Sequence, residues 1–591
     1  MTPIMKYNYI FILTFFYLTS ALSQSSYHHI WGVKENRKVE SNWIYGISIY
    51  DGIVYYIDSG ENNKINALQL PESTTQTFIE IGSPETTQIY NKHRAEDGSW
   101  YIGGNTSETE NFTTLGAYRT EFDFNQIPTD PVPKNGFLAK YSATGELQWC
   151  TYIDFFYGSE EYTGSTITTD ADNNVYFISY KNNDEIIENA PFQSTANPED
   201  FLLGTNKTST LTKLDSNGAY QWSTFFGMHY TGIRSIKATP NGIIVAGFVI
   251  STDFFSGVPV TNYSYFSTEG AYQMAPNTNV NGEFLTSGFV NKFNFDGTRA
   301  WGTYYDESIR TVEVFENDIY IIQVHGSSSL ENEATEGAFI DELMNTSSYV
   351  GLIGRLNSDG SELLWRTYLF NNVFKSGTHL DHRRIASINS DGNIWLFGQT
   401  NSTASVTTED AYQTEKNMVT ANNNDSYHLL LANDGSTVLY SSYYGFEGDD
   451  ASLAIFPAEN GYYSVEQTSG NSNAENFITQ GNLLELDEEG SSTYGGLVYT
   501  YFSTEPVSSG TFDKKKISIY PNPAENVLHL TGEIEGFTKI DIYDMQGQRV
   551  FQQPINTSEI VSVDINSLVS GVYLLTISNT TDKQTYRIMK K

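Results

Sequence analysis

The sequence between residues 25 and 505 repeats itself, and this repetition restricts the possible folds more than any other feature of the chain. One unit consists of an apolar stretch, a tight turn and a second apolar stretch. It occurs seven times, with turns at residues 52, 98, 174, 242, 318, 392 and 461. The turns contain Asn-Gly, Asp-Gly or related pairs, which favour short hairpin connections. The pattern therefore predicts a series of β-hairpins.

A second hairpin unit alternates with the first and combines a basic residue, a glycine turn and a tryptophan. Its turns are at Gly145, Gly218, Gly297 and Gly360, with weaker copies at Gly435 and Gly490. Two hairpins in each repeat give a four-stranded sheet. Seven such sheets predict an all-β chain with a seven-bladed β-propeller over residues 24–505. The first repeat lacks a clear second hairpin, and a strand around residues 30–32 is predicted to complete the last sheet.

A third signature lies between the two hairpins of most repeats. Its copies are Gly116-Ala117-Tyr118, Ala190-Pro191-Phe192-Gln193, Gly270-Ala271-Tyr272-Gln273, Gly337-Ala338-Phe339 and Asp410-Ala411-Tyr412-Gln413. Together with the Lys-Leu-x-x-x-Gly and Trp-x-Thr-Tyr patterns, this signature resembles the SBBP-type β-propeller repeat proteins. The resemblance implies a fold and no defined activity.

Residues 1–23 have the pattern of a signal peptide. Lys6 precedes an apolar run, and the small-residue pattern Ala21-Leu22-Ser23 predicts cleavage before Gln24. The apolar run is too short for a membrane anchor, and no transmembrane span is expected after signal removal.

The composition changes after a linker at residues 506–514. Residues 515–591 contain Tyr520-Pro521-Asn522-Pro523, Gly571-Val572-Tyr573 and Lys590-Lys591, and their alternating strands predict a small β-sandwich. These motifs resemble the type A sorting domain of the type IX secretion system of Bacteroidetes. The resemblance implies an immunoglobulin-like sandwich that acts as an address for the type IX machinery. The protein would then be secreted or placed on the outer-membrane surface.

Charge and composition exclude several kinds of partner. A formal net charge of −37 disfavours nucleic acid, whose phosphates would be repelled. Cys150 is the one cysteine, so the chain has no internal disulfide and no cysteine-rich metal site. No phosphate-binding, zinc-protease or serine-hydrolase motif occurs, and we expect neither a metal nor a cofactor.

The strand order predicts where a ligand would bind. Both tight turns of each sheet must lie at one end of the propeller, so the long connections lie at the other end, and such loops often carry function. The connections that lead into the innermost strands contain a group of basic and aromatic residues: His93, Arg94, His229, Tyr230, Arg234, Arg310, His379, His382 and Arg383. Arginine forks match carboxylates, so this group predicts an anion-binding funnel.

Two functions follow from this prediction, and the sequence leaves open whether the protein is an enzyme. The first is an exported, non-enzymatic propeller that binds a glycan or another surface partner. The second is a secreted lyase acting on a uronate-containing polysaccharide, with proton transfer by His229, Tyr230, His379 or His382. A purely structural alternative is that the basic residues pair with Asp306, Asp381 and Asp449 and hold neighbouring blades together.

Overall fold

Short glycine-containing turns join neighbouring strands along most of the chain, so the strands pair in antiparallel hairpins. A computed structural model describes residues 28–35, 44–50, 52–58, 61–70, 74–123, 132–156, 165–196, 207–227, 231–250, 264–276, 286–306, 308–325, 334–342, 350–368, 386–400, 407–416, 424–445, 450–458, 460–468, 497–504, 517–522, 524–532, 534, 537–544, 548–555, 560–579 and 583–591. Every regular element in these residues is a β-strand, which confirms the all-β class. The chain divides into two compact units, Met1–Pro506 and Val507–Lys591.

The described residues of the first unit form seven four-stranded sheets. The chain begins with β1 (His28–Glu35). Sheet 1 contains β2 (Ile44–Tyr50), β3 (Ile53–Asp58), β4 (Lys64–Gln69) and β5 (Thr74–Glu80). Sheet 2 contains β6 (Thr87–Arg94), β7 (Trp100–Thr106), β8 (Asn135–Tyr141) and β9 (Leu147–Ile153). Sheet 3 contains β10 (Ile167–Thr169), β11 (Val175–Asn182), β12 (Lys207–Leu214) and β13 (Tyr220–Phe225).

The remaining sheets of the first unit follow the same order along the chain. Sheet 4 contains β14 (Thr231–Thr239), β15 (Gly242–Val249), β16 (Ser287–Phe293) and β17 (Arg299–Tyr305). Sheet 5 contains β18 (Ile309–Phe315), β19 (Asp318–His325), β20 (Val350–Leu356) and β21 (Leu363–Tyr368). Sheet 6 contains β22 (Ala386–Ile388), β23 (Ile394–Thr400), β24 (Asp425–Leu431) and β25 (Val438–Tyr444). Sheet 7 contains β26 (Asp450–Ala458), β27 (Gly461–Thr468) and β28 (Leu497–Ser503), together with β1.

The first strands of the seven sheets contact one another in cyclic order, from β2 through β6, β10, β14, β18, β22 and β26 back to β2. Apolar side chains fill the spaces between sheets; Ile178, Val245 and Phe289, for example, belong to one cluster between sheets 3 and 4. Four-stranded antiparallel sheets arranged around a ring of inner strands form a β-propeller.

The ring closes as the sequence predicts. Strand β1 pairs antiparallel with β28, with Trp31 opposite Tyr501 and Gly32 opposite Thr500. The first sheet also has the second hairpin that sequence analysis did not find, because β4 pairs with β5. The weaker copy that was predicted to turn at Gly490 lies outside the described residues.

The recurring tryptophan joins each of sheets 2 to 5 to the sheet that follows it. Its indole Nε1 donates to a carbonyl in the turn between the third and fourth strands of the following sheet. The four bonds are Trp149 to Ser216 at 3.2 Å, Trp222 to Phe295 at 3.1 Å, Trp301 to Ser358 at 3.1 Å and Trp365 to Asn433 at 2.9 Å. The turn glycine lies against the ring: Gly218 has a φ of +83°, and a Cβ there would be 2.9 Å from Trp149. The repeat therefore requires glycine at this turn for both backbone conformation and space.

The Gly-Ala-Tyr-Gln signature covers the outer edge of each sheet from 2 to 6. The residue in its last position bonds through its backbone N–H to a hydroxyl on the fourth strand. These bonds are Arg119 to Thr151, Gln193 to Thr224, Gln273 to Thr303, Ile340 to Thr367 and Gln413 to Ser442, at 2.8–3.0 Å. The carbonyl of the same residue accepts from the backbone of the next strand residue. We call this segment the edge strap, because it satisfies backbone groups that an edge strand would otherwise expose.

The second unit contains two sheets around one hydrophobic cluster that includes Leu528, Ile540 and Leu575. The strands are β29 (Ile517–Tyr520), β30 (Val527–Gly532), β31 (Lys539–Tyr543), β32 (Arg549–Pro554), β33 (Ile560–Asp564), β34 (Gly571–Ser578) and β35 (Lys583–Lys590). The sheets have the orders β29-β30-β33 and β32-β31-β34-β35. Asn522 of the Tyr-Pro-Asn-Pro motif bonds to the backbone of Arg587 and Met589, so this motif fixes the first strand region against the last strand.

Candidate functional site

The two ends of the propeller differ as predicted. The turns between the first and second strands and between the third and fourth strands are short; in sheet 3 they are residues 170–174 and 215–219. Because the strands are antiparallel, both turns lie at one end. The connections between the second and third strands, such as residues 183–206, lie at the other end, which we call the loop end.

Arg234 and Arg310 occupy corresponding positions on neighbouring inner strands. Each is the extra residue of a β-bulge, between Ile233 and Ser235 in β14 and between Ile309 and Thr311 in β18. Both positions are near the strand starts and hence near the loop end. The guanidinium of Arg234 lies 4.9 Å from the ring centre of Phe248. The structure therefore brings two of the predicted anion-binding residues to the same level of adjacent strands.

His93 and Arg94 do not lie with this pair. The corresponding bulge in β6 is at Tyr90, so His93 and Arg94 are three and four residues farther along, near the short turn. Arg94 lies 4.4 Å from the ring centre of Tyr50 in sheet 1. These two residues were predicted to lie in a connection, whereas they belong to β6.

His93 is also uncharged at neutral pH. Burial, followed by the positive charges of Lys237 and Lys92, lowers the pKa of His93 to about 3. Its Nε2 is 2.9 Å from the hydroxyl of Thr169 in sheet 3. A neutral imidazole that bonds to the neighbouring sheet cannot supply the positive charge expected of an anion site.

The other predicted site residues, His229, Tyr230, His379, His382 and Arg383, lie outside the described residues, as do Asp381 and Asp449. Asp306 does form an ion pair between sheets, but its partner is the buried Arg366 of sheet 5. On the inner strands, Lys237 pairs with Glu313 at 3.1 Å. Some of the charged residues therefore join neighbouring sheets, as the structural alternative requires.

A polar cleft at the loop end, between sheets 2 and 3, was not predicted from the sequence. Its lining includes four cations and three anions: Arg119, Lys134, Lys181 and Lys207, with Asp123, Asp154 and Glu185. The whole chain has 33 Lys and Arg against 70 Asp and Glu. Cations thus outnumber anions in the cleft, whereas anions outnumber cations in the whole chain.

Ion pairs hold the cleft side chains in place. Arg119 Nη1 is 2.7 Å from Asp154 Oδ1, and Lys181 Nζ is 3.6 Å from the same oxygen. Lys181 also pairs with Glu185, which accepts a bond of 3.0 Å from the Asn182 amide. Arg119 and Lys181 are therefore positioned by their neighbours before any ligand binds.

Lys207 is the cleft cation with the poorest solvation. It is 8% exposed, and its Nζ donates to Asn182 Oδ1 at 3.0 Å. Burial lowers the pKa of Lys207, although Asp154 and Glu185 oppose this effect. An anion that entered the cleft would stabilise the charged form of this ammonium group.

Comparison among the sheets shows that the cleft departs from the repeat. Arg119 stands where the edge straps of three other sheets have Gln193, Gln273 and Gln413. At the position of Lys181, the strand register places Thr106, Val249, His325 and Thr400. A residue-by-residue alignment of the repeats would have shown these substitutions, but their proximity arises only from folding. Among the described residues, no group of three or more His, Cys, Asp or Glu side chains is placed to hold a metal ion.

The comparison with family models identifies the second unit. Residues 518–591 match the secretion system C-terminal sorting domain, which confirms the predicted type IX tail. This tail indicates that the protein is exported and is either secreted or displayed at the cell surface. The predicted signal peptide lies outside the described residues. In the part of the chain that is described, no helix is long and apolar enough to cross a membrane.

No curated protein sequence matches the chain. Among solved structures it is similar to BamB from Moraxella catarrhalis, with 11% identity, 81% of this chain and 99% of that chain covered, and a TM-score of 0.31. It is also similar to the Neurospora crassa Pan2 WD40 domain, with 8% identity, coverages of 82% and 98%, and a TM-score of 0.34. The fold assignment rests on the sheets and their cyclic contacts. The molecule is therefore an exported β-propeller with a sorting tail.

Proposed function

We propose that residues 1–23 direct the chain to the periplasm and that the tail then directs it through the type IX machinery. In this proposal the seven sheets are the complete set of blades of a propeller spanning residues 24–505. Residues 506–514 are a linker, and residues 515–591 are an immunoglobulin-like sorting sandwich. The two packed sheets of the second unit support the sandwich assignment.

In this proposal the propeller is a binding module for an acidic extracellular glycan. Its binding site is the cleft between sheets 2 and 3. The observation that supports this function is an excess of cations over anions at the loop end, four against three, in a chain with a net charge of −37. This local excess favours carboxylates, while the remaining surface repels them. Binding should therefore require a close fit and should weaken as salt is added.

Arg234 and Arg310 are a second proposed contact for the anionic polymer, because both lie near the loop end. The lyase hypothesis depends on His229, Tyr230, His379 and His382, none of which the structure describes, and it stays a prediction. Binding alone explains the cleft, so we favour a non-enzymatic role.

The binding proposal can be tested with polygalacturonate and neutral galactan as probes for the full-length exported protein. We expect polygalacturonate to bind and galactan to bind at least tenfold more weakly. The double variant Lys134→Gln/Lys207→Gln should lose about a hundredfold or more in affinity, because each of the two charge-assisted bonds contributes about 1.5 kcal/mol or more. Lys213→Gln is a matched control, since Lys213 bonds to Phe295 between sheets 3 and 4. Equal binding of both polymers, or an unaffected double variant, would contradict the proposal.

The sorting assignment has a separate test. Deletion of residues 515–591 should stop transfer across the outer membrane and leave the propeller in the periplasm. Protease resistance of the retained protein would show that the propeller is folded. Normal surface display of the truncated chain would overturn the assignment.

A further inference from the structure

Two exposed tyrosine rings lie at the same boundary between sheets as the polar cleft. Tyr118 and Tyr220 are stacked, with ring centres 4.9 Å apart and planes at 15°, and each residue is 38% exposed. Tyr118 belongs to the edge strap of sheet 2, and Tyr220 begins the fourth strand of sheet 3. The pair therefore spans the same boundary between sheets as the cleft.

The stack departs from the repeat at both of its positions. The aromatic residues that correspond to Tyr118 pack against buried hydrophobic clusters; they are Phe192, Tyr272, Phe339 and Tyr412. The residues that correspond to Tyr220 by strand register are Leu147, Arg299, Leu363 and Val438. None of these is aromatic, so paired exposed rings occur at this boundary alone among sheets 2–6 in the described residues.

Arg119 connects the stack to the cleft. Its guanidinium carbon is 5.7 Å from the ring centre of Tyr118, and the same guanidinium bonds to Asp154 in the cleft. A ligand large enough to reach from the rings to Lys207 would therefore pass Arg119. The two stacked rings hold each other in one arrangement, so these side chains would lose little conformational freedom when a ligand binds.

We propose that this boundary binds a uronate-containing oligosaccharide at two points, with one sugar ring against the Tyr118–Tyr220 stack and a carboxylate of a neighbouring sugar at the cleft cations. Sugar rings carry an apolar C–H face that packs on an aromatic face, while carboxylates require cations or hydrogen-bond donors. A small inorganic anion would use the cleft alone. This inference rests on the proposed function and adds the kind of ligand that the site selects.

The test compares an oligogalacturonate with inorganic sulfate on the full-length protein by titration calorimetry. We expect Tyr118→Ala and Tyr220→Ala each to weaken oligogalacturonate binding about tenfold and to leave sulfate binding unchanged. Leu147→Ala is the matched control, because Leu147 has the corresponding position in sheet 2 and is 47% exposed. It should change neither affinity.

The results separate this inference from the proposed function. If the parent protein binds oligogalacturonate and both tyrosine variants bind it equally well, the stack has no role and only the cleft proposal survives. If the tyrosine variants lose oligogalacturonate and sulfate together, the rings merely position Arg119, and the two-point model is wrong. If the parent protein binds neither probe, the proposed function fails, and this inference fails with it.

Discussion

The boundary between sheets 3 and 4 and the boundary between sheets 2 and 3 are built from the same repeat but present different surfaces. At the first, Phe192 packs into a hydrophobic cluster and the guanidinium of Arg299 lies 5.0 Å from its ring centre. The second has two exposed tyrosines and a charged cleft. Both boundaries keep the tryptophan bond and the glycine turn. The repeat thus determines the scaffold, and departures from it mark the surface that a ligand can distinguish.

The shared scaffold predicts equal and large losses of stability at both boundaries. Trp149→Ala and Trp222→Ala should each lower the free energy of unfolding by about 3–5 kcal/mol, because each removes a large packed ring and leaves a cavity. Denaturant titration of the two variants measures this loss. A large effect at one boundary and none at the other would show that the tryptophan has different roles in the two places.

A departure from the repeat that is fully buried should affect stability rather than binding. His428 lies where sheets 2–5 have Leu138, Leu211, Val290 and Ile353. Its Nε2 is 2.8 Å from Glu466 Oε1, and both residues are 0% exposed. Glu466→Leu should cost about 3 kcal/mol of stability, because it leaves the polar imidazole with fewer partners. His428→Leu/Glu466→Leu should recover part of that loss, and neither variant should alter polygalacturonate affinity. A change in affinity without a change in stability would contradict this distinction.

Replacing Arg119 of the cleft with the glutamine that other repeats have at this position should weaken binding and leave stability almost unchanged. Arg119→Gln introduces the residue found in three other edge straps, so the free energy of unfolding should change by less than about 1 kcal/mol. Affinity for polygalacturonate should fall about tenfold, which corresponds to about 1.4 kcal/mol. Calorimetric binding and thermal unfolding of the same preparation measure the two quantities. If Arg119 is only a structural ion-pair partner of Asp154, stability will fall and affinity will not.

A further prediction concerns His93 and acid. The pKa of His93 is lowered from 6.5 to about 3 in the folded protein, so the folded state binds fewer protons than the unfolded state between these values. Its contribution to stability is present above about pH 6.5 and is lost as the pH falls toward 3, at up to about 1.4 kcal/mol per pH unit. His93→Gln should reduce the slope of stability against pH in this range, as measured by unfolding at pH 7, 5.5 and 4. An unchanged slope would show that the carboxylates alone determine acid stability.

Much of the fold could be predicted from the sequence, because turn residues and alternating apolar residues are recognisable within short stretches of the chain. The glycine turns at residues 98, 145, 218, 297, 360, 392 and 435 all have positive φ values, and the strand near Trp31 closes the ring as predicted. The hairpin of β4 and β5 was missed because its turn, residues 70–73, contains no glycine.

The site was harder to predict. Arg234 and Arg310 lie on strands and not in the predicted connections, but they occupy equivalent positions because both precede a recognisable turn by a similar distance. His93 and Arg94 precede theirs by only a few residues, so counting back from Gly98 would have shown that they lie elsewhere. The cleft brings together Arg119, Asp154, Lys181 and Lys207 from four separate segments, and no local pattern connects them.

The pairing of β1 with β28 also has a consequence for the timing of folding. These strands are separated by almost the whole propeller, and contacts between such distant segments form slowly. Sheet 7 cannot be completed until residues 497–503 are available. Strand β1 therefore stays without its partner while the other sheets form. Closure of the ring should therefore be the last step, and until then β1 and the open edge of β28 are the parts of the maturing chain most exposed to wrong partners. Cleavage at the predicted point before Gln24 leaves β1 intact, so the processed chain keeps the strand that completes the ring.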